Sequence, residues 1–586
     1  MPDLKDIKWI SCFNARKDLQ NFKEKALLLF ALDLRFGIDD FVELASSSLT
    51  DGGDDKKADL VYIDSENGYA VIAQTYMAEK WNKKEAPANK ASDLNTAASW
   101  FLNSPLEDLP KQISPHAEAI RRCIKENSIK SIYFWYVHNL PESKNVYREL
   151  KNVEKTAKTL INTNFPEAKA IEICATEVGI GILEEWYKTS QMPILVTDSF
   201  QIPISGGYEI KSNDWNAYVT AIPARWLYDN FKKYKNHIFS ANIRGYLGSK
   251  KRDENINNGI KSTGKDDPEH FWVFNNGITA LVNEFEENKE DDKLVISIKG
   301  ISIVNGAQTT GALGSLEGPP DIKAKVPIRF VVCSKLETIQ DIVKYNNTQN
   351  KITAPDFRSS DPIQTSLSTQ FDKLYKIKYL ARRGGYEDIV KRITNSIAAI
   401  TAGQALAATH GDPEIAYNQK TYIWENDGLY SRYFNENTTA RHILFVYSLL
   451  KAIEEKKIRL IEKSRAGTLT KIEISQLNFL RLRGAIILFT AALSRCLDII
   501  INKSIPNMFD LWFKDKRMTL EEAIKTWSPI IDTGISFSDK LKDGLSDGLK
   551  NKEKIETALT TFVSLIDSIK QPAKEVFHNF SKNISS

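Results

Sequence analysis

The sequence predicts a mixed α/β fold that gives way to helices, and three observations carry that reading. Between residues 58 and 200, short β-rich runs alternate with longer runs of helical apolar spacing. From about 200 to 360, strand-like segments are broken by turns rich in Asn and Gly. From about 361 to the end, helical periodicity dominates, with charged stretches such as 451–457. At 586 residues the chain exceeds one ordinary core. The composition shifts place boundaries near 200 and 360, giving regions 1–200, 201–360 and 361–586.

The elements follow in order. Residues 18–47 read as helical, with Leu19, Phe22, Leu27, Leu28 and Phe30 among the apolar positions, and a polar loop runs over 46–57. Strands at 58–65 and 69–76 flank Glu66-Asn67-Gly68, a hairpin signal. Helices near 91–103 and 115–127 precede a strand at 129–138, a helix near 146–162, a strand at 168–175 and a helix near 176–188. In the middle region, 271–274 and 278–285 read as a hairpin around Asn275-Asn276-Gly277. A strand at 294–304 ends at Asn305-Gly306 before a helix start, and a strand covers 328–333.

Hydrophobic residues make up 42% and charged residues 26%, the balance of a soluble globular protein. The net charge of +4 arises from 79 basic and 75 acidic residues, so polyanion binding needs a local patch. Cys12, Cys123, Cys174, Cys333 and Cys496 lie far apart with no C-x-x-C pair, which argues against zinc fingers and a disulfide framework. The N-terminus lacks a secretory signal. The most apolar stretch, 484–501, is interrupted by Arg495 and Asp498 and reads as a buried helix, so a cytoplasmic, membrane-free protein is expected.

The N-terminal hairpin carries one candidate site. A two-residue Asn67-Gly68 turn would pair Glu66 with Tyr69, Val61 with Gln74 and Asp59 with Tyr76, putting 59, 61, 74 and 76 on one face. Restriction-endonuclease-like folds build a metal site from such a strand-start Asp and a neighbouring Glu or Gln, with a Lys two residues on to position the attacking water. Asp59 and Gln74 meet the first two requirements, but Tyr76 stands where the Lys should be. Lys80, Lys83, Lys84 and Lys90 are substitutes, and Glu43 on the preceding helix could add a carboxylate to a Mg2+ site held by Asp59 and Gln74.

The central loops carry a second. Asn305, Gly306, Gln308, Thr309 and Thr310 bring amide and hydroxyl donors to a helix start whose N–H groups favour an anion. Asn275, Asn276 and Gly277 form a similar loop, and Asn346-Asn347 lies in a third amide-rich stretch. Residues 259–266 approach a P-loop but place Asp266 where a Ser or Thr should bind magnesium, which rejects it. Arg382-Arg383-Gly384-Gly385-Tyr386 combines charge, flexibility and an aromatic ring suited to nucleic acid. The seven histidines have no metal spacing and read as packing or surface residues.

Several separated motifs occur in one order: residues 239–248, including Asn242 and Arg244, then 271–279, 303–310, 346–350 and 404–416. Together they resemble the AIPR family, named for abortive infection phage resistance. The resemblance implies a restriction-endonuclease-like N-terminal α/β domain, a central mixed α/β core and, here, a mainly helical C-terminal region. The Asn-Gly-Ala-Gln-Thr element also resembles, more distantly, a motif of ParB/sulfiredoxin-like modules, with Thr309 in place of their Arg. This loss removes a bidentate phosphate donor. The implied role is antiphage defence on nucleic acid. Asp59, Gln74 and a relocated Lys80 or Lys90 would hydrolyse phosphodiesters with Mg2+. Arg244, the Asn-Gly loops, Asn346, Asn347, Arg382 and Arg383 would bind a nucleotide or a strand. The alternative is a non-enzymatic sensor or adaptor with a degenerate nuclease fold. DNA or RNA is the expected partner. A phage-derived trigger, an operon partner and a second copy in a homodimer are further candidates.

Overall fold

The computed structural model describes residues 7–38, 40–50, 54–79, 81, 83–168, 171–191, 196–234, 238, 263, 267–290, 293–333, 335, 338–339, 342, 358–359, 361–381 and 395–585. The chain forms two units, one of residues 1–183 with 353–586 and one of residues 184–352.

In the first unit, helices α1 (Lys8–Ala15), α2 (Ala26–Phe36) and α3 (Phe41–Ser48) precede the hairpin of β1 (Leu60–Asp64) and β2 (Tyr69–Tyr76). Every α2 residue from Ala26 to Leu34 is buried, as its all-round apolar sequence requires. Its one acid, Asp33, is met by the buried Arg16 guanidinium at 2.9 Å. Helices α4 (Ala88–Leu102) and α5 (Ser114–Lys125), strand β3 (Ser131–His138), helix α6 (Lys144–Asn164), strand β4 (Glu172–Val178) and helix α7 (Ile180–Gln191) follow. The sheet order is β1-β2-β3-β4, antiparallel in the first pair and parallel after it. Strand alternation sends Val61, Ile72, Phe134 and Tyr136 into one core with Leu94 and Phe101 of α4 and Leu150 and Val153 of α6. On the other face Phe36, ending α2, stacks on Tyr69 at 4.4 Å and on Trp135 at 5.6 Å.

Two expectations change here. The hairpin closes at Asp64↔Tyr69, with Val61 opposite Ile72, so the loop has four residues and not two. Asp64 is the cause: its carboxylate accepts from Asn67 N at 2.9 Å and Asn67 Nδ2 at 2.8 Å, and its carbonyl accepts from Gly68 N. This side-chain turn ends the ladder before Glu66 can pair. Further on, pairing with β3 carries β4 to Val178, so the last helix starts at Ile180 and not near 176.

The second unit is a sheet ordered β5-β10-β8-β11-β7-β6, with β9 also on β10. Its strands are β5 (Val196–Ile204), β6 (Gly207–Lys211), β7 (Trp215–Pro223), β8 (Ile278–Leu281), β9 (Glu284–Glu290), β10 (Lys293–Asn305) and β11 (Lys325–Cys333). Helix α8 (Ala224–Tyr234) follows β7, the single turn α9 (Phe271–Phe274) precedes β8, and α10 (Ala307–Gly314) follows β10. Residues 271–274 are therefore helical, against the strand expected there. β8 has its edges taken by β10 and β11, leaving the run no partner strand, and Asn275 Nδ2 caps the Phe271 carbonyl at 2.8 Å.

The rest of the first unit is mainly helical, with two short two-stranded sheets, Lys378–Leu380 with Ser396–Ala398 and Trp512–Phe513 with Ile584–Ser585. Its principal helices are α11 (Pro362–Tyr375), α12 (Ala399–Thr409), α13 (Ala440–Arg465), α14 (Ala485–Arg495), α15 (Leu520–Gly534) and α16 (Lys552–Ser568), around one shared core. Trp527 packs against Phe445, Phe513 and Phe580 and donates Nε1–H to Ser448 Oγ at 3.0 Å. The apolar stretch 484–501 supplies the buried α14, and among the described residues no single helix is long and apolar enough to cross a membrane. These helices grip the N-terminal part. Lys451 on α13 is buried in an ion pair with Asp40, the N-cap of α3, and with Glu454 at 2.8 Å. Burial, aided by Asp40, pushes the Glu454 carboxyl up to about 8 despite Lys451. The hairpin loop is held too, for Glu66 accepts from Thr421 N at 3.1 Å and from its hydroxyl.

Candidate functional site

The hairpin register begins at Leu60↔Ala73, so Asp59 lies just before the paired strand and does not face Tyr76. Gln74 shares the face of Ile72, whereas Asp59 bonds to the residue that Leu60 already faces, an irregular start that breaks the alternation expected to align the two. Two bonds fix Asp59: its N–H donates to the Ala73 carbonyl at 2.8 Å, and its Oδ2 accepts from Thr75 N at 2.9 Å. Gln74 is 5% exposed, and its Oε1 is buried without a hydrogen-bond donor. Burying an amide oxygen unpaired costs about 1–3 kcal/mol.

A lysine does reach Asp59, and it comes from neither Lys80 nor Lys90. Lys25, the residue before α2, lies with Nζ 3.5 Å from Asp59 Oδ1 and donates to the Thr50 carbonyl at 2.7 Å. It is 6% exposed. A backbone kink at Lys23, with φ of 50°, precedes it, and the buried α2 behind it holds its position. Its sequence signal is a single cation at the head of the apolar run 26–32, close to Asp59 only in three dimensions.

Asp55 lies four residues before Asp59. The chain turns sharply between Asp55 and Asp59, with Ala58 N donating to the Asp55 carbonyl at 3.2 Å and Lys56 and Lys57 at φ of 52° and 70°. Burial, then the Asp59 charge, raises the Asp55 carboxyl above its ordinary value. Among the described residues no three His, Cys, Asp or Glu side chains converge as a metal group. The donors here are carboxylates and an amide oxygen.

The other expected members lie elsewhere or are engaged. Lys90 starts α4 and its side chain makes no hydrogen bond or ion pair among the described residues, while Lys83 donates to Tyr76 Oη at 3.2 Å. Glu43 on α3 takes Lys420 at 3.7 Å. Lys80, Arg244, Asn346, Asn347, Arg382 and Arg383 lie outside the described residues.

In the second unit the two Asn-Gly loops meet. Gly306 has φ of 96°, and a Cβ there would stand 2.6 Å from Ile278 Cγ1 and 3.2 Å from the Gly277 carbonyl. Gly277, at φ of 80°, lies as close to Pro327. Asn305 pairs with Thr279 across β10 and β8, and Thr279 pairs with Arg329 across β8 and β11. The Arg329 guanidinium donates to Thr279 Oγ1 at 2.7 and 3.2 Å. An arginine thus stands beside the Asn-Gly loop although Thr309 took the motif's Arg position. Its sequence signal was one charged residue in the middle of an apolar strand. Thr309 is buried, Thr310 Oγ1 donates to the Gly306 carbonyl, Asn276 is exposed, and Gln308 lies on α10.

The histidines that the sequence leaves as packing residues include two buried pairings. His138 Nδ1 accepts from Leu140 N, so its Nε2–H donates to Glu177 at 3.1 Å. His442 Nδ1 donates to the Leu511 carbonyl, leaving Nε2 to accept from His410 Nε2 at 3.0 Å.

Fold and sites together define a two-unit protein: an α/β sheet with a buried Lys25–Asp59 ion pair, built into a helical body, and a second sheet bearing paired Asn-Gly loops. Residues 239–534, half of the chain, match the AIPR protein family, and the chain belongs to it. Its role is accordingly antiphage defence by abortive infection. No curated protein and no solved structure matches the chain.

Proposed function

We propose that the defence role is exerted on nucleic acid, through metal-dependent phosphodiester hydrolysis at Asp59, Gln74 and Lys25. The observation that carries this reading is the buried Lys25 ammonium 3.5 Å from Asp59. The residues fit a hard divalent ion such as Mg2+, which takes carboxylate and carbonyl oxygens. Bound there, such an ion would polarise the phosphoryl oxygen and acidify a water. Asp59 and Gln74 would hold it, and the hydrogen bond from Thr75 N keeps the Asp59 carboxylate oriented. Lys25 would face the attacked phosphate, balancing the charge that grows as water oxygen bonds to phosphorus and the ester P–O bond breaks. The proton lost by water passes to solvent, and the leaving oxygen takes one up.

The test is incubation of the full chain with labelled DNA or RNA and Mg2+ or Mn2+, with and without nucleotides. Asp59→Ala should lower cleavage by about a hundredfold or more, the scale of removing a group that acts at the reacting centre. Cleavage that persists unchanged in this variant sinks the assignment.

A second reading concerns the central loops, and Arg329 beside Thr279 and Asn305 favours it. This row would bind the phosphate of a nucleotide or strand end and so license cleavage. Loss of oligonucleotide binding in Asn305→Ala/Gln308→Ala is the expected result. Undiminished binding by the folded variant removes the loops from the site.

A further inference from the structure

We propose that β6, the exposed edge of the second unit's sheet, is where two copies of this chain dimerise, their β6 strands pairing antiparallel about Ile210. The surface lies within the second unit and is independent of the hydrolytic reading.

β6 ends the sheet order and has β7 on one side only. All five of its residues are exposed, Tyr208 by 59% and Ile210 by 45%. The direction of its backbone groups follows from the ladder. Ser212 N donates to the Trp215 carbonyl at 2.8 Å, so Ser212, and by alternation Ile210 and Tyr208, turn their N–H and C=O groups towards β7. Those of Gly207, Glu209 and Lys211 point away from it, and among the described residues no hydrogen bond takes them up. Such a row of donors and acceptors is a template for another strand. The β4 edge of the first unit's sheet is different, for there Ala175 N donates to the Glu154 carboxylate at 3.0 Å.

The side chains select the strand that fits. Glu209 and Lys211 share one face, in an ion pair of 3.0 Å, and Tyr208 and Ile210 share the other. An antiparallel partner must set outward-pointing residues opposite outward-pointing residues. For a second copy of β6 this leaves few registers. Centring on Glu209 or on Lys211 puts like charges face to face, which is unfavourable. Centring on Tyr208 puts Glu209 opposite Gly207 and Lys211 opposite Ser205, with no charge met. Centring on Ile210 puts Glu209 opposite the second copy's Lys211, and Lys211 opposite its Glu209. Carboxylates and ammoniums then alternate on one face. On the other, the two Ile210 side chains meet, with a Tyr208 diagonal to each. The same patch serves both copies, as a two-fold axis requires. The strand is short, so the dimer is weak and governed by concentration.

Sedimentation velocity of the full chain across the micromolar range should therefore show a monomer–dimer equilibrium. Glu209→Lys alone and Lys211→Glu alone should each weaken it by about tenfold or more, because each sets like charges opposite. Mixing the two variants in equal amounts should restore the dimer, since every charge on one chain then meets its opposite on the other. Recovery on mixing is not a result that misfolding produces. Ile210→Cys adds a covalent check, and on mild oxidation it should cross-link into a dimer beyond the level of wild type. A full chain that stays monomeric throughout overturns the proposal. So do single reversals that leave the dimer unchanged, folded variants that fail to recover when mixed, and an Ile210→Cys chain that cross-links no more than wild type.

Discussion

Gly306 shows how much a single position can hold. Its φ of 96° belongs to the left-handed region, and the space where a Cβ would go is already filled by Ile278. Gly306→Ala should therefore lose about 1–3 kcal/mol of stability through backbone strain and the clash, read as a lower denaturant midpoint for the 184–352 unit. An unchanged midpoint would show that the two loops do not press together. The glycines were legible in the sequence because Asn-Gly reports a left-handed turn on its own. Lys25 was not, because nothing local marks a lysine 34 residues before Asp59 as its neighbour. Only the packing of α2 inside the unit brings them within 3.5 Å.

Among elements, the junction of α12 and α13 has a pH dependence that its histidines impose. Burial, then the neighbouring imidazole, pushes His410 down to about 3, and burial pushes His442 down to about 4. Both are neutral in the folded protein, whereas an unfolded chain protonates histidine near pH 6.5. Their contribution is complete above that pH and is lost as the pH falls, through the window down to about 4 for His442 and about 3 for His410. Thermal midpoints measured from pH 7 to 4 should fall, and His410→Gln/His442→Gln should flatten the slope. An equally steep slope in the double variant would assign the acid sensitivity to other groups, such as His116, which burial also depresses. Element types were read well from periodicity wherever an apolar face was long. They failed at 271–274, where aromatic residues suggested a strand but the neighbouring strand edges were already occupied. They slipped at the hairpin, where Asp64 built a wider turn than Asn-Gly alone implies.

At the scale of the whole molecule, the division into helical and α/β regions was visible in composition, but the union of the first and last parts of the chain was not. It rests on long-range pairs, chiefly Asp40 with Lys451 and Glu66 with Thr421. Lys451→Met would leave the Asp40 carboxylate buried without its cation, and should lower the stability of the full chain by about 3–5 kcal/mol in chemical denaturation. A loss below about 1 kcal/mol would mean that the pair is solvated like a surface salt bridge. The same pair has a consequence for the timing of synthesis. At the usual elongation rate of roughly 5–20 residues per second, Asp40 and the hairpin leave the ribosome many seconds before Lys451 does. During that interval the Asp59 cluster lacks the helices that clamp α3 and the hairpin loop. Translation itself thus sets a delay on the site, and a ribosome that stalls in the middle of the message releases a product whose cluster was never clamped.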